Sequence, residues 1–249
     1  MGDFTMSEQM LWNGFRLEEF EFEGHLAAIV FPEKANEKKS WTIKTEYRHE
    51  FPETEIELLK RGYHVTYLKN VSRFATKEDC DRKARFVKYL HENYGLADKC
   101  IPIGMSCGGA HAVNFAGFHP ECIQCMFIDA PVLNFLDYPG NFRNSGNRNT
   151  WEKEFKLAYP NMKRGEFLNF DNHPIGKAPI LIENKIPVLM LYGTADTVVY
   201  YSENGEMLEE YYADHPGLLT VIKRPSQGHH PHGFPARPDI VADWIDEHA

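Results

Sequence analysis

An α/β fold with a mostly parallel central sheet and helices on both faces is the structure that this sequence predicts. Short apolar runs alternate with helix-like segments along most of the chain, the order expected of parallel strands joined by crossover helices. The composition is that of a globular protein, with 43% hydrophobic and 25% charged residues. No shift in composition marks a linker, so we expect one domain over residues 1–249. In such sheets, sites form beyond the carboxyl ends of the strands.

The first half of the chain predicts strands and helices in alternation. The sequence FRLEEFEFEGHLAAIVFP is typical of two strands, the first alternating and the second more apolar, ending at Pro32. A helix is predicted around Ile56 to Leu59, followed by the strand YHVTYLK. The segment TKEDCDRKARFVKYLHENYG then predicts a long helix, with Thr76 as its N-cap and Gly95 as its end.

The second half continues the alternation on both sides of an unusual segment. CIPIG and CIQCMFIDAPV are predicted strands, and the small residues of GGAHAVNFAGFHP suit a helix packed closely on a sheet. After residue 184 the order resumes with the strand IPVLMLYG, the helix SENGEMLEEYYADH, the strand LLTVIK and the helix RPDIVADWIDEHA.

Residues 134–184 lie between these regular parts and are rich in Asn, Gly, Pro and aromatic residues. We expect them to form a cap or lid over the sheet, with one helix around TWEKEFKLAY. Its aromatic residues Phe135, Tyr138 and Trp151 suit the wall of an acyl or sugar pocket, and core packing explains each of them equally well.

The stretch IPIGMSCGG contains two candidate nucleophiles, Ser106 and Cys107, between a predicted strand and a predicted helix. Residues Gly104 to Gly108 form the pattern G-x-S-x-G, which in this context indicates a nucleophile elbow. The sharp turn needs small residues two positions before and after the nucleophile. Centring the pattern on Cys107 would place Met105 at one of those positions, so Ser106 is the better nucleophile. The backbone N–H of Cys107 then becomes an oxyanion-hole donor.

An acid and a base follow Ser106 at the ends of later strands. Asp196 comes just after IPVLMLYG, and His229 follows Gly228 in the loop after LLTVIK. The order Ser, Asp, His is that of alpha/beta-hydrolases, and all three positions fall at one edge of the sheet. We therefore predict a Ser106–His229–Asp196 catalytic triad. Asp129 is an alternative acid.

Three further candidates belong to the same predicted site. His230 is the alternative base, and His232 is expected to line the pocket or bond a loop. The second oxyanion donor is expected within residues 40–47, and Trp41 is our choice there. No metal site is predicted, because three imidazoles in the short run HHPH cannot easily surround one ion and no supporting carboxylate is indicated. The pair Cys122 and Cys125 is expected to be structural, since it does not precede a helix.

Several longer motifs make the chain resemble an esterase-like family of the alpha/beta-hydrolases. They are GMSCGG, DAPVLNFLDYPGN, YGTADTVVYYSENGEMLEEYY and GHHPHGF, and the similarity runs from about Leu26 to the C-terminus. The resemblance implies the hydrolase fold and a serine hydrolase with Ser106, Asp196 and His229 in the motif positions. Relatives among enzymes that act on plant polysaccharides imply removal of acetyl groups from sugars. The sequence departs from the family at Cys107 and Lys44, where arginines are usual.

These observations predict a serine esterase acting on a small acyl ester, plausibly an acetylated carbohydrate, without a cofactor. The alternatives are a peptidase for short peptides and an inactive hydrolase fold used for binding. The net charge of −9, with scattered basic residues, argues against nucleic acid. No apolar run reaches the roughly 20 residues that cross a bilayer, and no signal peptide is recognisable. Five cysteines without a framework suit the cytoplasm. The oligomeric state stays open.

Overall fold

The computed structural model describes residues 10–136 and 148–249, and in these residues nine strands form one sheet. The strand order across the sheet is β1-β2-β3-β5-β4-β6-β7-β8-β9. Strands β4 to β9 are mutually parallel, while β1, β2 and β3 pair antiparallel at one edge. The strands are β1 Leu11–Trp12, β2 Phe15–Phe22, β3 His25–Val30, β4 Trp41–Lys44, β5 His64–Leu68, β6 Ile101–Met105, β7 Met126–Asp129, β8 Val188–Gly193 and β9 Leu219–Arg224.

Helices connect the parallel strands and cover both faces of the sheet. Their bounds are α1 Glu53–Lys60, α2 Lys77–Tyr94, α3 Cys107–Phe118, α4 Arg148–Ala158, α5 Ala178–Glu183, α6 Gly205–Tyr212 and α7 Asp239–His248. The prediction of an α/β fold with a mostly parallel sheet is confirmed. None of the helices in the described part of the chain is long and apolar enough to cross a membrane.

The helix α2 begins and ends where local chemistry places its caps. Thr76 has extended backbone angles, and its hydroxyl oxygen accepts a hydrogen bond from the Asp79 backbone N–H at 3.2 Å. Gly95 then adopts a left-handed conformation with φ 65°, which terminates the helix. Both ends agree with the sequence-based prediction.

The hydrophobic core has two layers because successive strand residues point to opposite faces of the sheet. In β7, Met126 and Ile128 pack into the layer beneath α2, α3, α5 and α6. Phe127, between them, packs into the layer formed with α1 and α7. Helix α3 packs closely on the chain just after β7, since a Cβ on Gly109 would stand only 2.4 Å from Pro131 Cβ.

The segment from residue 134 to 184 packs through a cluster of aromatic rings that includes a residue from outside it. Phe135 is fully buried, and its ring centroid lies 5.3 Å from that of Phe74 and 6.1 Å from that of Phe167. Helix α4 contributes Phe155, whose centroid lies 5.0 Å from that of Phe167. Tyr138 lies outside the described residues, as does the side chain of Trp151. Their place in a pocket wall, and the role of the segment as a lid, stay predictions.

Candidate active site

Ser106 occupies a strained turn between β6 and α3. Its backbone angles are φ 54° and ψ −120°, a conformation that L-residues rarely adopt. The turn is tight, because a Cβ on Gly104 would lie 2.5 Å from the Gly108 carbonyl oxygen. A Cβ on Gly108 would lie 3.2 Å from Thr45 Oγ1 on the neighbouring loop. Contacts therefore require a glycine at position 104 and leave little room for a side chain at position 108. The serine hydroxyl is left at the carboxyl edge of the sheet.

The structure brings Ser106, His229 and Asp196 together in one row of hydrogen bonds. His229 Nε2 lies 3.1 Å from Ser106 Oγ, and His229 Nδ1 lies 2.7 Å from Asp196 Oδ2. The ring nitrogen beside a carboxylate carries the proton, so Nδ1–H donates to Asp196 and Nε2 is left to accept the Ser106 hydroxyl. His229 and Asp196 are buried, while Ser106 is half-buried and reachable.

Asp196 is held by its own loop as well as by the imidazole. Its Oδ1 accepts hydrogen bonds from the backbone N–H groups of Val198 and Val199, at 2.8 and 3.0 Å. Burial by itself raises the pKa of Asp196, but the His229 hydrogen bond and charge and these two N–H groups outweigh it, and the pKa falls below its usual value. Asp196 is thus a carboxylate at neutral pH, and it can stabilise a cationic imidazole.

Gly193 is a site residue that the sequence reasoning missed. It ends β8, and a Cβ there would lie 2.2 Å from the backbone oxygen of Gln227 and 2.5 Å from that of Gly228. The strand end therefore touches the histidine loop, residues 227–233, directly. Ala195 N–H also donates to the Gln227 carbonyl at 2.9 Å. The sequence did contain a signal for this contact, namely a glycine at the end of a buried strand just before Asp196.

Asp129, the alternative acid, contacts other partners. Its Oδ1 accepts from Arg224 Nη2 at 2.5 Å, and its Oδ2 accepts from the Gly233 backbone N–H at 2.6 Å. Its backbone oxygen accepts from the Ser106 N–H at 2.9 Å. Arg224 also donates through Nη1 to the carbonyls of Pro231 and Gly233, at 3.0 and 2.8 Å. Asp129 and Arg224 thus support both the nucleophile turn and the histidine loop, and Arg224 was not recognised from the sequence.

The other two histidines of the loop have other partners than Ser106 and Asp196. His230 is exposed, and its ring stacks on Phe51 with centroids 5.5 Å apart. His232 is buried, meets Phe51 edge-on at 5.3 Å and has Nδ1 3.4 Å from Asp129 Oδ2. The imidazole that contacts both Ser106 and Asp196 is therefore that of His229.

The oxyanion predictions have different outcomes. Cys107 is the first residue of α3, where backbone N–H groups lack partners within the helix, and its Sγ donates to Tyr47 Oη at 3.1 Å. Trp41 corrects the sequence-based choice: it is the first residue of β4, at the sheet edge opposite Ser106. Its indole Nε1–H donates to the Ala97 carbonyl at 2.9 Å, and the side chain is wholly buried.

The loop after β4 reaches the site instead. Thr45 N–H is engaged with the Ile103 carbonyl at 3.0 Å, but Glu46 N lies 3.5 Å from where a Cβ on Gly108 would be. Asn70 fixes this loop, since its Nδ2 donates to the Thr45 carbonyl at 2.6 Å and to Glu46 Oε2 at 2.7 Å. The Glu46 backbone N–H is therefore the candidate in the predicted interval.

Two further sequence features have structural roles. Lys44 is buried, with Nζ 2.9 Å from Glu55 Oε1 and a hydrogen bond of 2.6 Å to the Glu50 carbonyl, so it anchors the loop after β4. Cys122 and Cys125 are buried free thiols, and burial raises the pKa of each to about 12. Neither thiol is activated.

No family model and no curated protein sequence matches this chain. Solved structures do. The chain is similar to an S-formylglutathione hydrolase from Agrobacterium tumefaciens, with TM-score 0.67 and 14% identity over 96% of this chain and 98% of that one. An acylaminoacyl peptidase from Pyrococcus horikoshii matches with TM-score 0.67 and 14% identity over 93% of this chain. Dipeptidyl peptidase 4 from Porphyromonas gingivalis matches with TM-score 0.64 and 13% identity over 95% of this chain.

The extent of these matches differs. This chain spans 41% and 35% of the two peptidases, but nearly the full length of the S-formylglutathione hydrolase. At such low identities the likeness concerns the fold alone. The mostly parallel sheet with helices on both faces agrees with these matches, and the chain has the alpha/beta-hydrolase fold.

Proposed function

We propose that this protein is a serine hydrolase that cleaves a small acyl ester through an acyl-enzyme intermediate. The observation that carries the proposal is the continuous row from Ser106 Oγ to His229 Nε2 at 3.1 Å and from His229 Nδ1 to Asp196 Oδ2 at 2.7 Å. A hydroxyl, an imidazole and an ionised carboxylate in this order are the groups that acyl transfer requires.

The reaction has two halves, each with a tetrahedral intermediate. Ser106 Oγ attacks the ester carbonyl carbon while His229 Nε2 takes the hydroxyl proton, and Asp196 stabilises the resulting imidazolium. The imidazolium then gives this proton to the departing alcohol oxygen as the carbon–oxygen bond breaks, which leaves an acyl-serine. In the second half His229 removes a proton from water, the hydroxide attacks the acyl carbon, and the proton returns to Ser106 Oγ as the acid leaves.

The negative oxygen of each intermediate needs donors beside Ser106. We assign one to the backbone N–H of Cys107, as predicted from the sequence, and the second to the backbone N–H of Glu46, in place of Trp41. The proximity of Glu46 N to the first turn of α3 supports this assignment. Removing one such donor from a serine hydrolase typically costs about 10²–10³-fold in kcat.

The substrate class is inferred from a structural neighbour and from the sequence motifs, whereas the reaction is inferred from the geometry of the site. One solved structure of which this chain spans 98% is an S-formylglutathione hydrolase, which favours an ester with a small acyl group. The family resemblance of the sequence adds acetylated carbohydrate as the preferred substrate. The five cysteines are all free and buried, which is consistent with the expected cytoplasmic location.

A fluorophosphonate probe and a substrate panel test this function. We expect the probe to label the wild type, and mass mapping should locate the label on Ser106. Ser106→Ala should show neither label nor hydrolysis. Ser202→Ala, a change at an exposed serine, is the matched control and should retain both. p-Nitrophenyl acetate should be hydrolysed faster than longer acyl esters and than aminoacyl anilides. Label on Cys107 would refute the mechanism, and faster cleavage of anilides would replace esterase by peptidase.

A further inference from the structure

The histidine loop brings three imidazoles into one cluster. One ligand atom from each of His229, His230 and His232 lies within 4.8 Å of the other two. The ring centroids are 4.7, 4.8 and 5.0 Å apart in the three pairs. The sequence had suggested that a run as short as HHPH could not bring its imidazoles to one point. In the structure the chain folds back within these four residues, and the rings converge.

Two of the three imidazoles also have a ring nitrogen close to a carboxylate oxygen. His229 Nδ1 lies 2.7 Å from Asp196 Oδ2, and His232 Nδ1 lies 3.4 Å from Asp129 Oδ2. The hydrogen bond to Asp196 keeps the proton of His229 on Nδ1 and leaves its lone pair on Nε2. Histidines that bind metals almost always face a carboxylate or carbonyl in this way through their other nitrogen. The structure therefore supplies one hydrogen-bonded supporting carboxylate, Asp196, and a second one nearby, Asp129.

His232 supplies a second and independent indication. The side chain is 2% exposed, and neither of its ring nitrogens makes a hydrogen bond of normal geometry among the described residues. A buried polar group without a partner is costly, and such groups in native structures often mark an ion or water site. His230 is exposed, so an incoming ion can contact it first. It then serves as the third ligand beside the two buried histidines.

We propose that His229, His230 and His232 form a Zn²⁺ site whose occupation inhibits the enzyme, an inference that rests on the proposed function. Zinc prefers imidazole nitrogen at about 2.0–2.1 Å in a tetrahedron, which places ligand nitrogens about 3.3 Å apart. Rotation of the exposed His230 ring and small shifts of the other two close the present separations. The fourth position is left for water or the Ser106 hydroxyl. Magnesium and calcium, which prefer oxygen ligands, should not bind.

Inhibition follows from the lone pair that the ion occupies. His229 Nε2 must accept the proton of Ser106 in the first step of the proposed reaction. When Zn²⁺ binds that same nitrogen, no base remains beside the hydroxyl. The bound ion would also separate Ser106 Oγ from His229 Nε2, which lie 3.1 Å apart in the structure. The protein with Zn²⁺ bound is therefore expected not to hydrolyse its substrate, and removal of the ion by a chelator should restore activity.

The test begins with binding, measured without reference to catalysis. Tag-free Ser106→Ala protein is titrated with ZnCl₂ by calorimetry, and we expect one ion per chain. His230→Ala and His232→Ala, each made in the Ser106→Ala background, should weaken binding by about tenfold or more, because loss of a ligand costs at least as much as loss of its supporting partner. His215→Ala, which removes an exposed histidine outside the loop, is the control and should bind as before. Absence of one-to-one binding, or binding unchanged in His230→Ala, overturns the site.

The second readout is inhibition of p-nitrophenyl acetate hydrolysis by Zn²⁺, followed by addition of EDTA. Each variant is compared with its own metal-free rate, and His230→Ala should need about tenfold more zinc for half inhibition. Zinc bound at the histidines without loss of activity would contradict the inhibitory role. If the proposed function fails, no metal-free turnover is seen at all, whereas the calorimetric result still decides whether the site exists. Because His230 is exposed, its variant remains informative even if His232→Ala does not fold.

Discussion

Asp129 and Asp196 lie at the carboxyl ends of two neighbouring strands, and yet they have different partners. Asp129 ends β7 and Asp196 follows the end of β8, and both carboxylates are buried at the same edge of the sheet. Asp196 faces the imidazole of His229 at 2.7 Å. Asp129 faces the guanidinium of Arg224 at 2.5 Å. The same side chain in nearly the same place therefore takes part in two different ion pairs.

The partner decides what each acid can do. The imidazole of His229 gains and loses a proton, so a carboxylate beside it can stabilise a charge that appears during a reaction. The guanidinium of Arg224 is always charged, so Asp129 can only hold it in place. Arg224 in turn donates hydrogen bonds to the carbonyls of Pro231 and Gly233 and so fixes the histidine loop. Under the proposed function the Asp196–His229 pair serves the chemistry, and the Asp129–Arg224 pair fixes the loop on which that chemistry depends.

The largest expected effect separates the two acids by activity. Asp196→Asn should lower kcat for p-nitrophenyl acetate by about 10⁴-fold, the size of loss known for this change in a serine protease triad. The amide no longer holds His229 in the tautomer with Nδ1–H, and it cannot stabilise the imidazolium. Steady-state kinetics with active-site titration measure the change. A loss of less than tenfold would show that Asp196 does not act through His229.

The second prediction distinguishes Asp129 from Asp196 by how much each contributes to the free energy of unfolding. Asp129→Asn should reduce the free energy of unfolding by about 3–5 kcal/mol, because it leaves the charge of Arg224 buried without its counter-ion. Urea denaturation followed by fluorescence measures this difference. Asp196→Asn is the matched comparison, and its loss of stability should be smaller because its partner can become neutral. Equal losses of stability in the two variants would remove the distinction between the pairs.

A double-mutant cycle sharpens the same comparison. Arg224→Gln alone and Asp129→Asn alone each leave one charge unpaired, whereas the double variant leaves none. We expect the double variant to be more stable than the sum of the single losses predicts, by on the order of 1–3 kcal/mol. The cycle is measured by urea denaturation at pH 7. Simple additivity would mean that Asp129 and Arg224 stabilise the loop independently.

The smallest effect concerns a buried base away from both acid pairs. Burial and the nearby charge of Lys83 lower the pKa of His111 to about 3. Its Nε2 lies 2.9 Å from the Ser72 carbonyl, as suits a neutral ring that donates there. In the unfolded chain the ring titrates near 6.5, so below that pH the unfolded state binds the extra proton. The stability contributed by the neutral ring is complete above pH 6.5 and falls as pH drops towards 3, by up to about 1.4 kcal/mol per pH unit.

This pH dependence is measured by urea denaturation between pH 7 and 4.5. His111→Gln should show a shallower decline than the wild type, while His215→Gln, a change at an exposed histidine, should leave the slope unchanged. The lowered pKa of Asp196 keeps that carboxylate charged through most of this range. A wild-type slope that survives in His111→Gln would move the origin of the acid sensitivity to other groups, such as the buried His64, whose pKa burial lowers to about 4.

Features that depend on neighbours in the sequence were predictable. The end of α2 follows from Gly95, and the turn at Ser106 follows from glycines two positions away on each side. The contact of Asp196 with His229 was predictable for a related reason, since the carboxyl ends of parallel strands share one edge. Trp41 shows the limit of this reasoning, because residues 40–47 were expected to be a loop, whereas Trp41–Lys44 form the buried strand β4. The four residues of β4 carry the chain across the sheet, so the candidate donor lies in the loop after the strand, at the edge opposite Trp41.

The sequence by itself therefore determined the alternation of strands and helices, the strained corner at Ser106 and the edge at which an acid and a base follow. These are local properties, set by backbone preferences and by the period of apolar residues. Only the tertiary structure decided that Asp129 pairs with Arg224, that Arg224 holds the histidine loop, and that His232 Nδ1 lies 3.4 Å from Asp129 Oδ2. Such pairings join residues up to about a hundred positions apart, and they depend on side-chain directions that no local pattern records.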